Sequence, residues 1–236
     1  MRVLRALLAV ALAALASDAR AQSLADLLGD VAANARFPSS TRADVSIERQ
    51  SADATANTTA ILLGRGSTIY LETRDGQRAL IHPGKVVVPE RGRVRRAPVG
   101  TALGRTDVLL EDLAVFSPSV LKVPQISDET GGEVVVTGAP AGASSYVLLV
   151  FRIDRAWKAP VRTQYYTQSI GHLAKIRKEG QLVEVAGHWR PTTFVVEDVV
   201  ERTATRLKLE WHPGADVPPV LFTPAGLRAP SGLSWP

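Results

Sequence analysis

The feature that most constrains this chain is a recurring alternation of apolar and polar residues, in short runs closed by turn residues. The clearest run sets Thr205, Leu207, Leu209 and Trp211 against Arg206, Lys208 and Glu210. Residues two apart on a strand share a face, so this segment has one dry face and one wet face, as antiparallel sheets do. Runs rich in Val, Ile, Thr and Tyr predict strands over 43–50, 57–64, 67–74, 77–82 and 85–89. A second set is predicted over 133–137, 145–154, 160–167, 171–178, 181–189, 192–200 and 204–212. Breaks fall at Gly64-Arg65-Gly66, Asp75-Gly76 and Pro83-Gly84, and Asp75-Gly76 is a signal for a two-residue hairpin.

One helix stands out, over 22–36. Leu24, Leu27, Leu28 and Val31 fall at i, i+3, i+4 and i+7, with Ser23 placed to cap the first turn. The stretch 101–121 reads as a loop holding a short helix over 106–116. No repeat, low-complexity tract or linker divides the chain, so residues 22–236 are expected to form one domain. The expected fold is mainly β with helices: a long, curved antiparallel sheet with helices packed on one side. A two-sheet sandwich is the alternative architecture.

The first residues read as a secretory signal. Arg2 and Arg5 precede an uncharged apolar run from Leu7 to Ala16, and Ala19-Arg20-Ala21 places small residues where signal peptidase reads them. A ten-residue run rises about 15 Å as a helix, half of a roughly 30 Å hydrocarbon core. The expectation is a signal peptide over 1–21, cleaved before Gln22, and a periplasmic location. Its removal takes away Arg2, Arg5, Arg20 and Asp18, which lowers the formal net charge from +5 to +3. That balance gives little support for a nucleic-acid partner.

Little in the chain resembles catalytic machinery. With no cysteine there is no disulfide, no thiolate metal site, no cysteine nucleophile and no lipidated cysteine. His82, His172, His188 and His212 are never three or four residues apart, the spacing at which a helix brings two ligands together. Glu111 and Asp112 are adjacent, and adjacent residues of a helix point to different faces. No G-x-S-x-G elbow, P-loop or G-x-G-x-x-G occurs. A protein that is not an enzyme is expected, with no cofactor and no metal. A hydrolase whose triad is assembled from distant positions is the weakest of the three readings carried.

The chain is instead rich in apolar strand surface. Tyr146 to Phe151 is apolar at alternate and at intervening positions, and so, more briefly, is Phe194-Val195-Val196. A sheet dry on both faces must be covered twice, or must hold something apolar on one side. Ordinary core packing accounts for this, and so does an open barrel with an apolar hollow. For the hollow, Leu148, Val150, Tyr165 and Val195 are the candidate lining residues, although nothing in the pattern chooses between strand faces.

Three stretches together resemble the LolA-like outer-membrane lipoprotein-sorting proteins, in particular their uncharacterised lipoprotein-sorting-like subgroup. The first is KVVVPERGRVRRAPVGTALGRTDVLLEDL, 85–113, in which a strand ends at Pro89. Arg93, Arg95, Arg96 and Gly104 follow it, and an acidic element over Asp107, Glu111, Asp112 and Leu113 closes the stretch. The second is APVRTQYYTQSIGHLAKI, 159–176, with the Tyr165-Tyr166 pair. The third is VLFTPAGLRAP, 220–230, similar to the family's terminal strand. Two departures are Thr167, where the subgroup carries an aspartate, and a more arginine-rich basic loop. The resemblance implies a half-open β-barrel with helices covering its concave side. It also implies a periplasmic carrier that holds acyl chains of a lipid or lipoprotein without covalent chemistry. The alternative it implies is a regulatory lipid-sensing and protein-binding module of the RseB type. An inner- or outer-membrane transport protein and transient membrane contact are the further partners implied.

The basic stretch around 93–96 has two readings. Guanidinium groups suit phosphate oxygens, so Arg91, Arg93, Arg95 and Arg96 are candidate contacts for anionic headgroups or a membrane-protein partner. A single-stranded nucleic-acid surface would interleave aromatics, and the neighbours here are Val94, Ala97 and Pro98. A solvated loop on the barrel rim, from Pro89 to Pro98, is the plainer expectation.

Overall fold

A computed structural model describes residues 24–235. The expected signal peptide, its cleavage position and the Ser23 cap lie outside the described residues. The chain begins with helix α1, residues 24–35. Six strands follow: β1 Phe37–Gln50, β2 Thr55–Gly66, β3 Thr68–Thr73, β4 Arg78–His82, β5 Lys85–Glu90 and β6 Arg93–Arg96. After a long connection come β7 Leu121–Thr130, β8 Glu133–Pro140, β9 Leu148–Asp154, β10 Ala159–Tyr166 and β11 Leu173–Glu179. The hairpin β12 Leu182–Val185 and β13 His188–Pro191 precedes β14 Thr193–Asp198 and β15 Thr203–Pro213.

Thirteen strands form one sheet in the order β6-β5-β4-β3-β2-β1-β15-β14-β11-β10-β9-β8-β7, while β12 and β13 pair only with each other. Every neighbouring pair is antiparallel. The sheet is thus two meanders, β1–β6 and β7–β15, joined along β1 and β15 from Thr41↔Pro213 to Gln50↔Ala204. It does not close, since β6 and β7 remain edges. Its ends nevertheless approach each other: Gly84, between β4 and β5, sits against Val120, just before β7. A sheet that brings its ends together without pairing them is half-open, and it has one inner face and one outer face.

In the middle of the first meander, β2 to β4, both faces are buried. On β2, Ala60 and Leu62 alternate with Ile61 and Leu63, and all four are buried. Ala60 and Leu62 join an inner cluster with Ala43, Val45, Ile69, Ile81, Phe194 and Leu207, which Leu103, Val108, Leu110 and Leu113 cover. Ile61 and Leu63 join an outer cluster with Tyr70 and Leu80, covered by Val217, Leu221 and Leu227 of the C-terminal segment. That segment is not the terminal strand implied by VLFTPAGLRAP. It forms 3-10 turns at Pro219–Phe222 and Gly226–Arg228, and Ser231 donates its amide to Glu72 Oε2 at 3.0 Å. In the second meander the inner face is covered by α1, whose Leu27, Leu28 and Val31 pack on Leu121, Val134, Val136, Phe151 and Ile153.

The fold class holds as a large, unclosed antiparallel sheet, with a correction to its cover. Helices were expected over the concave side, and among the described residues α1 is the one α-helix. Residues 97–116 take the place of the others. They hold an isolated bridge between Ala102 and Leu109 and a 3-10 turn, Leu110–Leu113, where a helix over 106–116 was expected. Two edge strands also differ from expectation. Residues 93–96 are not a rim loop but β6, paired with β5 from Glu90↔Arg93 to Val87↔Arg96. β7 went unforeseen because LKVPQISDET lacks alternation and contains a proline. It is an irregular edge with two register shifts and a positive φ of 43° at Val123. Short charged strands and bulges are how sheets keep their edges from pairing with other chains. Asp75 and Gly76 do make a hairpin, but the connection spans 74–77 rather than two residues. No described helix is long and apolar enough to cross a membrane.

Candidate functional site

The inner face and residues 97–116 enclose a cavity of about 290 Å³. Its apolar wall comes from Phe37 of β1, Leu62 of β2, Leu149 and Phe151 of β9, Tyr165 of β10 and Phe194 of β14. Val31 of α1 and Phe116 close one side, and Phe116 meets Phe151 edge-on at 5.3 Å between ring centres. Its mouth is bordered by Arg96 to Thr101, Gly84 and Gly142 to Ser144. Phe37 enters the wall because Gly64 leaves room: a side-chain carbon at that position would fall on the Phe37 ring.

The segment over the cavity is tied down by its acidic residues. Asp107 accepts hydrogen bonds from Thr203 at 2.6 Å and Thr205 at 2.8 Å, and pairs with Arg49 at 3.3 Å. Glu111 accepts from the Ser144 hydroxyl at 2.7 Å and the Ser145 amide at 3.1 Å. Asp112 accepts from the Leu109 amide at 2.8 Å and the Tyr146 hydroxyl at 2.7 Å. Glu111 and Asp112 do point different ways, as their adjacency predicted, and each anchors the segment to a different partner. Burial pushes the Asp112 carboxyl up to about 6, against the pull of Lys175 and its own hydrogen bonds. Burial, reinforced by Asp112, also pushes the Tyr146 hydroxyl far above the usual range for a phenol, so it stays a donor.

At the other end of the cavity, the β12–β13 hairpin holds the C-terminus of α1. Arg190 donates to the carbonyls of Asn34, at 2.6 Å, and Arg36. The Trp189 amide donates to Asn34 Oδ1 at 2.9 Å. A cation on the exposed carbonyls of a helix end is favourable, although burial lowers the Arg190 guanidinium to about 10.

The structure places Tyr165 in the cavity wall, 4.6 Å from Tyr146 between ring centres. It does not place Leu148, Val150 or Val195 there: their neighbours Leu149, Phe151 and Phe194 line the cavity instead. The offset is one residue, which on a strand exchanges the two faces. The four arginines also separate. Arg93 and Arg95 lie opposite Glu90 and Val88, and Arg95 forms an ion pair with Glu90. Arg91 occupies the turn with a φ of 48°. Only Arg96 borders the cavity, and it donates to the Gly84 carbonyl at 3.3 Å.

A strand was expected over 171–178 and β11 is found there, but its faces were not assigned from the sequence. Lys175, Arg177 and Glu179 face inward. Their register partners Tyr165, Thr163 and Phe194 are all buried. Lys175 donates to the Asp107 carbonyl. Arg177 donates from Nε to Glu179 at 2.6 Å and from Nη1 to the Asp112 carbonyl at 2.6 Å. The available signal was the charge at every second position, Lys175, Arg177 and Glu179, blurred by Lys178 between them. Among the described residues, no group of histidines and carboxylates is arranged to hold a metal ion.

Comparison with known proteins agrees with this architecture. Residues 86–229 match a family described as uncharacterized proteins. None of the curated proteins matches the chain. An outer membrane lipoprotein-sorting protein domain from Vibrio parahaemolyticus superposes with a TM-score of 0.74 at 16% identity, covering 86% of this chain and 97% of that one. A DUF1329 family protein from Desulfovibrio piger gives 0.73 at 14% identity, over 88% and 99%. A LolA superfamily protein from Nitrosomonas europaea gives 0.68 at 18% identity, over 84% and 96%. Identities this low speak for the fold. The chain belongs to the family of uncharacterized proteins matched over residues 86–229, and its fold is that of the LolA-like outer-membrane lipoprotein-sorting proteins.

Proposed function

We propose that the chain is a non-enzymatic carrier that holds acyl chains of a lipid or lipoprotein in the inner cavity, and that it acts in the periplasm. The observation that carries this reading is the cavity wall. Aliphatic and aromatic side chains from both meanders converge on it, and the acidic residues that cover it are turned into hydrogen bonds with the protein. Apolar clefts with a few placed polar groups are the usual form of small-ligand sites. The sorting role attached to the similar Vibrio domain supports the same reading. Arg91, Arg93, Arg95 and Arg96 are the proposed contacts for anionic headgroups, with Arg96 nearest the mouth.

The test is binding of a fluorescent acyl probe to wild type and to two tryptophan variants. Leu149→Trp fills the cavity and is expected to weaken binding at least about tenfold, since several apolar contacts are displaced. Val150→Trp, on the outer face, is expected to leave binding unchanged. Equal binding by both variants would remove the cavity from the reading. Transfer of the probe from donor to acceptor vesicles separates a carrier from a sensor that binds lipid without delivering it.

A further inference from the structure

Among the polar groups on the cavity wall is a buried ion pair. Arg177 and Glu179 sit side by side on β11, 2.6 Å apart, and both line the cavity. The guanidinium is held from two other sides: it donates to the Asp112 carbonyl, and its central carbon lies 4.0 Å from the centre of the Phe194 ring. The Glu179 side chain is only 7% exposed. Its Oε1 takes the bond from Arg177, and its Oε2 is buried with no hydrogen-bond partner among the described residues.

A buried carboxylate oxygen without a donor is unfavourable, and native structures rarely leave one unless something else supplies the donor. No neighbour supplies it here. Phe194 and Leu182 carry no side-chain donor, and the Tyr165 hydroxyl, although also on the cavity wall, makes no bond to this oxygen. The terminal torsion of a glutamate is broad, so a modest turn of the carboxyl brings the unpaired oxygen to the cavity. A ligand would then meet a guanidinium and a carboxylate together, one offering N–H groups and the other an acceptor.

That combination discriminates between ways of attaching an acyl chain. A secondary amide is trans, with its N–H and carbonyl on opposite edges, so its N–H can meet the unpaired Glu179 oxygen while its carbonyl points away from the pair. An ester of the same shape has no donor and leaves Glu179 unpaired. A free carboxylate or a phosphate brings a second negative charge against the first. We propose that Glu179, held in place by Arg177, forms a polar subsite for an acyl chain attached through an amide, the amide N–H donating to Glu179 Oε2. The assignment rests on the reading of the cavity as an acyl-chain site. Burial raises the Glu179 carboxyl, and Arg177 beside it acts in the opposite sense. The comparison therefore belongs at a pH well above the carboxylate range, where the group accepts rather than donates.

The experiment compares three probes of one chain length, N-methyl dodecanamide, methyl dodecanoate and dodecanoate, by calorimetric titration of the full chain. The amide and ester differ only in N–H against O. Wild type is expected to bind the amide at least about tenfold more tightly than the ester, with dodecanoate weakest. Glu179→Met is expected to retain ester binding and to bring amide and ester within about twofold. The wild-type comparison stands even if that variant does not fold. Equal binding of amide and ester by wild type overturns the subsite, as does a folded Glu179→Met that keeps the preference. Binding of none of the three probes overturns the acyl-chain reading itself, and the subsite with it.

Discussion

The Tyr146 hydroxyl donates to Asp112 Oδ1 across 2.7 Å, and both side chains are buried. This bond joins the segment over the cavity to the residue that leads into β9. Tyr146→Phe keeps the ring packed at a tilt against Tyr165 but leaves a buried carboxylate oxygen without its donor. A loss of about 1–3 kcal/mol in unfolding free energy is expected, measured by urea denaturation. Tyr166→Phe, one residue beyond on the other face, serves as the control and should be near neutral.

Asp112 also makes stability depend on pH. Its carboxyl titrates near 6 in the folded chain, above its ordinary value of 3.8, because burial disfavours the charge. Between those values the folded state holds the proton more tightly than the unfolded state. The contribution is therefore complete below the unfolded value and is lost as pH rises through about 6. At about 1.4 kcal/mol per unit, the change is roughly 3 kcal/mol at most. Asp112→Asn should flatten stability between pH 4 and 6 relative to wild type, whatever its own offset. Parallel pH profiles for the two proteins would refute the assignment.

Two glycines give opposite expectations for the same substitution. At Gly226 a methyl group would fall on the Val220 carbonyl and 2.6 Å from the Leu221 Cα, both backbone atoms that cannot step aside. Gly226→Ala should lift the C-terminal segment from the outer face of β2–β4 and cost about 1–3 kcal/mol. At Gly29, inside α1, nothing lies within 4 Å of the added carbon. Gly29→Ala should stabilise by about 0.5–1 kcal/mol through helix propensity. Thermal melts of both variants check the pair.

Replacing Arg91, Arg93, Arg95 and Arg96 together with glutamine should change stability little, because all four are exposed and the Arg95–Glu90 pair is screened. Near an anionic surface each is worth about 1 kcal/mol, up to about 4 kcal/mol together. Screening sets in beyond about 8 Å at physiological salt. Co-sedimentation with anionic vesicles should fall in the variant and in high salt, while acyl-probe binding is unchanged. Equal, salt-insensitive sedimentation would leave these arginines as protection of an edge strand.

The parts of the fold that could be read from the sequence are those where burial falls on one face. α1 and β15 each have one dry side, and their periodicity showed it. Where both faces are buried the signal disappears. Tyr146 to Phe151 is apolar at every parity except for its tyrosine hydroxyl, so Leu148 and Leu149 could not be distinguished before the sheet was seen. The strand at β11 was expected, but its faces were illegible for the opposite reason: its inward residues are charged because they bond to the covering segment and to each other, which alternation of hydrophobicity cannot anticipate. β6 and β7 are edges, and the arginines, proline and polar residues that suit an edge are those that argue against a strand.

The pairing of β1 with β15 also sets an order of events for a chain that emerges from its N-terminus. β2 to β6 can fold back on β1 as soon as they appear. The opposite side of β1, from Thr41 to Gln50, waits for Thr203 to Pro213. Until then it offers an open row of amides and carbonyls to any passing strand. Closing so distant a contact late is slow, and the interval before it is when such an edge meets other chains. The newly made protein should therefore depend on a holding chaperone for most of its synthesis, and a chain cut off before β15 should aggregate rather than fold as a smaller sheet.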